Sequence, residues 1–247
     1  MIAPQVVGIL GGMGPAAGSD FSRIFVNACE AVLVARGEPV TDQAFPEHWL
    51  AQVPLPDRTE ALLGEKETPL PGMLKALQQL SALGVRSVAV ACNTAHAWHE
   101  ELQARCPDIE LLHIVRETTR QLAIEGVTAV GLMATVGTHR LGLYEASLGR
   151  AGIRHYVPTA EEQALVMRGI VQGVKGGDLP LARACFEEVA GNLALRHGVK
   201  TLVLACTEIP LALQSVPGYP EVRLVNPADT LAKALAGRAY SQASFFV

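Results

Sequence analysis

Two cysteines stand in matching settings and hold the clearest chemistry in this sequence. Cys92 follows the apolar run 87–91 and precedes Asn93-Thr94-Ala95-His96. Cys206 follows the apolar run 201–205 and precedes Thr207-Glu208-Ile209-Pro210. Each thiol is expected at the carboxyl end of a strand, just before a helix start. A helix N-terminus favours an anion, so a thiol with an ordinary pKa of about 8.5 would ionise more readily there. Asn93, Thr94 and Thr207 add donors suited to a carboxylate or an amino acid ligand. With both thiols on one cleft, a thiolate on one wall removes an α-proton and the thiol opposite returns one to the other face. Inversion of a carbon centre without a cofactor requires such a pair. Preorganised donors around the substrate carboxylate would stabilise the carbanion-like transition state. Cys29, Cys106 and Cys185 fall inside helical stretches and read as small buried hydrophobes.

The elements that must position these groups are legible as a pattern. Apolar runs at 6–10, 87–91, 111–115, 128–133 and 201–205 have the length and composition of parallel strands covered on both faces. Helical patterns lie between them at about 16–36, 69–83, 95–105, 116–124, 138–151, 161–174, 179–196 and 228–239. The alternation predicts an α/β fold with parallel sheets. The stretch 38–71 holds six of the fifteen prolines and little periodicity. It reads as a long, partly irregular connection of the kind that serves as a binding loop or lid. An internal repeat runs through the chain. Val7-Gly8-Ile9-Leu10-Gly11-Gly12-Met13-Gly14 resembles Val130-Gly131-Leu132-Met133-Ala134-Thr135-Val136-Gly137, and the segment 85–92 resembles 199–206 in the same order. Two halves are therefore expected to face each other across a pseudo-twofold axis, with the carboxyl ends of their strands forming one cleft. The expected division places 1–110 plus 220–247 in a first lobe carrying Cys92, and 111–219 in a second lobe carrying Cys206.

Composition narrows the function classes. The 247 residues are 49% hydrophobic and 18% charged, enough to bury a core in one large domain or two small ones. That composition excludes disordered, collagen-like and coiled-coil chains. The formal net charge is −4, and no Lys/Arg cluster offers a footprint for nucleic acid. The apolar runs are far shorter than the roughly 20 residues of a membrane helix, so no membrane contact is expected. No positive segment precedes the first apolar run, and five sparse cysteines do not suggest a disulfide framework. A cytoplasmic protein with reduced thiols and no signal peptide is expected.

Four segments together resemble the aspartate/glutamate racemase family. They are Gly8-Ile9-Leu10-Gly11-Gly12-Met13-Gly14-Pro15, Cys92-Asn93-Thr94-Ala95-His96, Ala134-Thr135-Val136-Gly137-Thr138 and Cys206-Thr207-Glu208-Ile209-Pro210-Leu211. The resemblance covers essentially the whole chain in order and spacing. It implies two Rossmann-like (flavodoxin-like) lobes and a pyridoxal-phosphate-independent amino acid racemase that needs no cofactor and forms a homodimer. Cys92 and Cys206 are then its acid/base pair, and Thr135 joins Asn93, Thr94 and Thr207 around the substrate. The chain looks closer to the aspartate racemases. Pro56-Asp57-Arg58-Thr59 is similar to their segment whose arginine binds a substrate carboxylate. Val174-Lys175 is similar to their helical lysine that binds the other. One departure is Ala91, where many relatives place a proline; it touches packing, not chemistry.

The remaining motifs are weaker. Gly12-Met13-Gly14-Pro15-Ala16-Ala17 fits a dinucleotide-binding G-x-G-x-x-A, but no acidic residue closes a second strand at the required distance. It reads instead as a turn that lines the cleft with the Gly14 amide and Met13. Arg58 suits planar carboxylate recognition. Lys175 lies at a helix end before Gly176-Gly177. Glu208 either accepts a hydrogen bond from the substrate ammonium or orients the neighbouring thiol. His96 and His99 stand three residues apart without a third ligand, so no metal is expected; His96 is placed behind Cys92 as a hydrogen-bond partner. The apolar tail Phe245-Phe246-Val247 is expected on the first lobe or across a dimer contact. The function expected is racemisation of an acidic amino acid, aspartate first. Its rivals are a glutamate or broad-specificity racemase, a hydantoin racemase, a maleate isomerase using one cysteine, and a non-catalytic two-lobed binding protein.

Overall fold

The computed structural model describes residues 4–241; the expected packing of Phe245-Phe246-Val247 lies outside them. Two four-stranded parallel sheets organise the chain. The first contains β1 (Val7–Gly11), β2 (His48–Gln52), β3 (Ser87–Val90) and β4 (Glu110–Leu112), in the order β2-β1-β3-β4. The second contains β5 (Ala129–Ala134), β6 (Arg154–Tyr156), β7 (Thr201–Ala205) and β8 (Arg223–Val225), in the order β6-β5-β7-β8. The two orders are the same topology. The sequence repeat is thus a structural one, with β5 standing for β1 and β7 for β3. Around the sheets lie α1 (Pro15–Ala35), α2 (Arg58–Leu63), α3 (Leu70–Ala82), α4 (His99–Arg105), α5 (Ile114–Ile124), α6 (Val136–Arg140), α7 (Leu143–Arg150), α8 (Ala160–Arg168), α9 (Leu179–His197) and α10 (Pro227–Ala239).

The period-2 alternation of the central strands builds three cores. Val7 and Ile9 of β1, Ala89 of β3, Val130 and Leu132 of β5, and Val203 and Ala205 of β7 face one cluster shared by both sheets, filled by α1, α5 and α10. Leu10, Val88 and Val90 turn the other way into a core under α3. Met133, Leu202 and Leu204 turn into one under α9. Covering both faces explains why these strands read as continuous apolar runs. The shared core joins the halves into one cooperative unit, and truncating a member such as Leu132 to Ala should cost about 2–5 kcal/mol.

Several boundaries differ from the sequence reading. The stretch 38–71 contains both β2 and α2. Asp57 caps α2, accepting from the Thr59 and Glu60 amides at 2.9 and 3.1 Å, and Gly64 ends it at φ 80°. The run 111–115 splits: its first two residues close β4, and α5 begins at Ile114. The single helix expected over 138–151 is two, separated at Gly142 with φ 59°. Sheet membership also changes a few residues later than the expected lobe division, since β4 extends to Leu112 in the first sheet and β8, Arg223–Val225, belongs to the second. The turn after β1 needs glycine: Gly12 has φ 89°, and a Cβ there would meet the Val53 carbonyl oxygen at 2.3 Å.

Candidate active site

Cys92 and Cys206 sit just beyond the carboxyl ends of β3 and β7, and both line one cavity between the sheets. Its other walls are Met13, Asp57, Arg58, Thr59, Asn93, Thr94, Thr135, Ile170, Lys175, Thr207 and Glu208. Every expected substrate ligand except Gly14 is therefore in the lining. Residues so far apart in sequence converge because each follows a strand end or rides on a short segment packed across that edge. The cavity is narrow, with about 20 Å³ open to the centre of a water molecule, and its mouth is partly open.

The first wall comes from the turn after β3 and from α2. Arg58 is 6% exposed and starts α2, rather than lying in an irregular loop. Its Nη2 donates to the Met13 carbonyl at 2.6 Å, and its Nη1 to the Pro56 and Leu55 carbonyls at 2.9 and 3.3 Å. Of its three nitrogens only Nε is without any partner among the described residues, and it is buried. Asn93 is similar. Its Oδ1 accepts from the buried Tyr144 hydroxyl at 2.6 Å, while its Nδ2 is buried and unpartnered. Native interiors satisfy nearly all such donors. Two orphan donors on residues that line one cavity suit an anionic ligand.

The second wall comes from the turn after β7, from α6 and from the π-helical segment Gly169–Val174. Thr94 Oγ1 lies 3.0 Å from both Thr135 Oγ1 and Thr138 Oγ1, so a threonine cluster spans the two lobes. Thr135 also caps α6. Gly173 lets the π segment pack tightly on α9, where a Cβ would meet Ala182 at 2.6 Å. The segment delivers Ile170 and Lys175 to the cavity. Lys175 Nζ lies 3.5 Å from Asp57 Oδ2. Burial works against the Asp57 carboxylate, but the Glu60 amide, Lys175 and Arg58 outweigh it and hold its carboxyl below the usual range. Asp57 was not assigned a role from the sequence; its position between proline and arginine, three residues ahead of Glu60, is the cap signal that marks it. Thr59 and Ile170 carried no such signal.

Glu208 is 3% exposed and ties the halves together. Its Oε2 accepts from Cys206 Sγ at 3.1 Å and from Thr207 Oγ1 at 3.2 Å. Its Oε1 accepts from the Gly14 amide at 3.1 Å, so that amide is spent on Glu208 rather than free for a ligand. His96 lies behind Cys92. Its Nε2 accepts from the Ile114 amide at 3.2 Å, which leaves the proton on Nδ1 to donate to the Cys92 carbonyl at 2.9 Å. It braces the main chain under the thiol, not the sulfur. Burial keeps it neutral, with a pKa lowered to about 4.

The expected easing of thiol ionisation by helix dipoles is overturned. Cys206 is followed by a single short 3-10 turn, Ile209–Leu211, and Cys92 by the 3-10 segment Thr94–Trp98 leading into α4, so neither thiol caps a regular α-helix directly. Burial pushes the Cys92 thiol up, partly offset by Arg58. Burial and then Glu208 push Cys206 well above the ordinary range. Burial thus holds both groups toward the thiol form, Cys206 more strongly because of Glu208, while Arg58 works against it at Cys92. Among the described residues, no three His, Cys, Asp or Glu side chains come together as a metal site, and no helix is long and apolar enough to cross a membrane.

Comparison with known proteins identifies the family of the chain. The model of the Asp/Glu/Hydantoin racemase family matches residues 10–235. The structure of Picrophilus torridus aspartate racemase superposes with a TM-score of 0.80 at 28% identity, covering 95% of this chain and 94% of that one. The broad specificity amino-acid racemase RacX of Bacillus subtilis is 23% identical over 229 residues, 93% of this chain and 96% of that protein. Glutamate racemase of Pseudomonas aeruginosa is 28% identical over 159 residues, but the match spans only 57% of that enzyme.

Proposed function

From the premise that the chain belongs to the Asp/Glu/Hydantoin racemase family, we propose that it interconverts the enantiomers of aspartate by passing the α-proton between two thiols, without pyridoxal phosphate. The observation that carries the reading is the pair itself: Cys92 and Cys206, at equivalent strand ends of a repeated topology, line one cavity. One sulfur, as thiolate, takes the α-proton and becomes a thiol. The other gives its proton to the opposite face of the carbanion and becomes the thiolate. Two cations, Arg58 and Lys175, match the two carboxylates of the substrate, and Lys175 reaches the second one as it parts from Asp57. The orphan Arg58 Nε and Asn93 Nδ2 become satisfied when a carboxylate arrives. A hydrogen bond to a charged group contributes about 1.5–3 kcal/mol. The 28% identity to an aspartate racemase over nearly the whole length of both chains supports aspartate.

A broader substrate range is favoured by one finding, the match to RacX over 93% of this chain. One methylene in a pocket is worth only about 1–3 kcal/mol of discrimination. Circular dichroism of L-aspartate, L-glutamate and L-alanine incubated with reduced protein and no cofactor decides. Loss of signal for aspartate well ahead of the others supports the assignment. Comparable rates for all three establish the broad reading instead, and no loss for any of them from folded protein refutes both.

A further inference from the structure

The two thiols of the cavity are unequal. Cys206 donates to Glu208 Oε2, and that carboxylate is aimed at the sulfur by two further donors, Thr207 Oγ1 on one oxygen and the Gly14 amide on the other. Cys92 faces a different neighbour. The strongest charge on it is the Arg58 guanidinium, whose Nε–H is the orphan donor described above. Before substrate takes that donor, a thiolate at Cys92 would satisfy it; a thiolate at Cys206 would stand beside a buried carboxylate. The other groups do not reverse the contrast. His96, behind Cys92, is neutral and its Nδ1–H is spent on the Cys92 carbonyl. Tyr144, near Cys206, donates its hydroxyl hydrogen bond to Asn93 Oδ1, and burial pushes its own ionisation up. Asp57 and Lys175 offset each other at 3.5 Å. Glu208 reaches Cys92 as well, but its hydrogen-bonded contact is with Cys206.

We propose that Glu208 and Arg58 set the two thiols apart, Glu208 holding the proton on Cys206 and Arg58 easing its loss from Cys92, so that Cys92 is the first of the two to ionise and the α-proton is accepted on its side. The first turnover then forms S–H at Cys92 as Cα–H breaks, and breaks S–H at Cys206 as the new Cα–H forms. It leaves a thiolate beside Glu208, and exchange of one proton with solvent restores the resting form. Only this consequence for turnover rests on the racemase reading; the order of ionisation belongs to the folded chain.

The test is alkylation of the intact, reduced protein by iodoacetamide across pH about 6 to 10, with each cysteine read separately by peptide mass spectrometry. The midpoint of each profile reports ionisation, whereas access through the narrow cavity scales only the rate. Cys92 should reach its midpoint about one unit or more below Cys206. Glu208→Gln keeps the size and a hydrogen-bonding head but removes the charge. It should lower the Cys206 midpoint by about one to three units and move Cys92 less. The wild-type profile needs no variant to fold. Cys206 ionising first, or both together, overturns the proposal, as does a folded Glu208→Gln protein in which the gap is unchanged. A protein that shows the expected order but racemises nothing refutes the function and leaves this assignment standing. A protein that racemises with the reverse order does the opposite.

Discussion

Arg58→Ala is expected to cost both stability and turnover, and the two costs have separate origins. The guanidinium holds three main-chain carbonyls, at 2.6, 2.9 and 3.3 Å. The bond to Met13 is buried and joins α2 to the turn after β1, so its loss strands an acceptor that water does not reach. The bonds to Pro56 and Leu55 are part-buried, and water replaces much of them. With charged hydrogen bonds at about 1.5–3 kcal/mol, one full bond and two discounted ones come to about 3 kcal/mol. Turnover loses the cation beside Cys92 and the Nε donor. A loss on the order of 10²-fold in kcat/KM for aspartate corresponds to about 2.7 kcal/mol. Urea unfolding followed by fluorescence measures the first cost, and polarimetric or dichroic assay of aspartate the second. Arg58→Lys keeps the charge but not the fork, so it should recover part of the turnover and little of the stability. An Arg58→Ala protein as stable as wild type within about 0.5 kcal/mol would refute the structural half of this reasoning. A Lys variant that restores stability while leaving turnover at the Ala level would refute the division of roles.

The other expectations are simpler. Cys92→Ala and Cys206→Ala should each stop racemisation in both directions while retaining slow α-deuterium exchange in D₂O, each for the opposite enantiomer; exchange of the same enantiomer by both variants would exclude two-thiol transfer. Gly137→Val should raise α2 from its seat, because a Cβ at 137 already meets Thr59 Cα at 3.2 Å. Misplacing Arg58 in this way should lower kcat/KM on the order of 10²-fold, and wild-type kinetics would show that α2 is not seated there during turnover. Acid should destabilise the fold through buried histidines. His96 and His113 have pKa values lowered to about 4 and about 2, so the unfolded chain takes up protons near its ordinary pKa of about 6.5 that the folded chain refuses. Stability is unaffected above that pH. It should fall by about 1.4 kcal/mol per pH unit for His96 between about 6.5 and 4, and by less for the part-exposed His113. A urea midpoint unchanged between about pH 7.5 and 5 would contradict this.

The sequence made the buried centre of each sheet legible and its margins opaque. β3 and β7 are covered on both faces, so they appear as unbroken apolar runs that end on the cysteines. β2, His48–Gln52, is a half-exposed edge strand among prolines and shows neither an apolar run nor a clean alternation. β6 and β8 have three residues each, too few for any period. α2 has six residues, and its only signals are the Asp57 cap and Gly64. The cavity positions of Cys92, Asn93, Thr94, Cys206 and Thr207 are legible from types and spacing, and those of Arg58 and Lys175 only through the family resemblance; the electrostatics are legible from neither. A thiol before a helix start suggests a lowered pKa. What decides the direction is depth, and Glu208 turned toward the sulfur; neither is written in the order of residues. The ion pair of Asp57 with Lys175, 118 positions away, is invisible to any local pattern.

The same anatomy says which wall of the narrow cavity is easiest to move as a substrate seats. A hinge between the lobes would have to part the shared core of β1, β3, β5 and β7 with α1, α5 and α10, which buries whole side chains such as Phe21, Phe25, Leu132 and Leu235. At about 1.5–3 kcal/mol for each side chain exposed, that motion is far too costly for a substrate-binding step. α2 is held by much less: the Arg58 bonds, the Asp57–Lys175 pair, and the contact of Thr59 and Leu62 with Gly137. The ion pair is about one-third exposed on each side, where such pairs contribute little. α2 is therefore the wall that yields most cheaply, whereas the π-helical segment is packed into the second core through Ile170 and through Gly173 against Ala182. Arg58, proposed to meet the substrate, travels with α2, while the thiols stay fixed to the strand ends behind it.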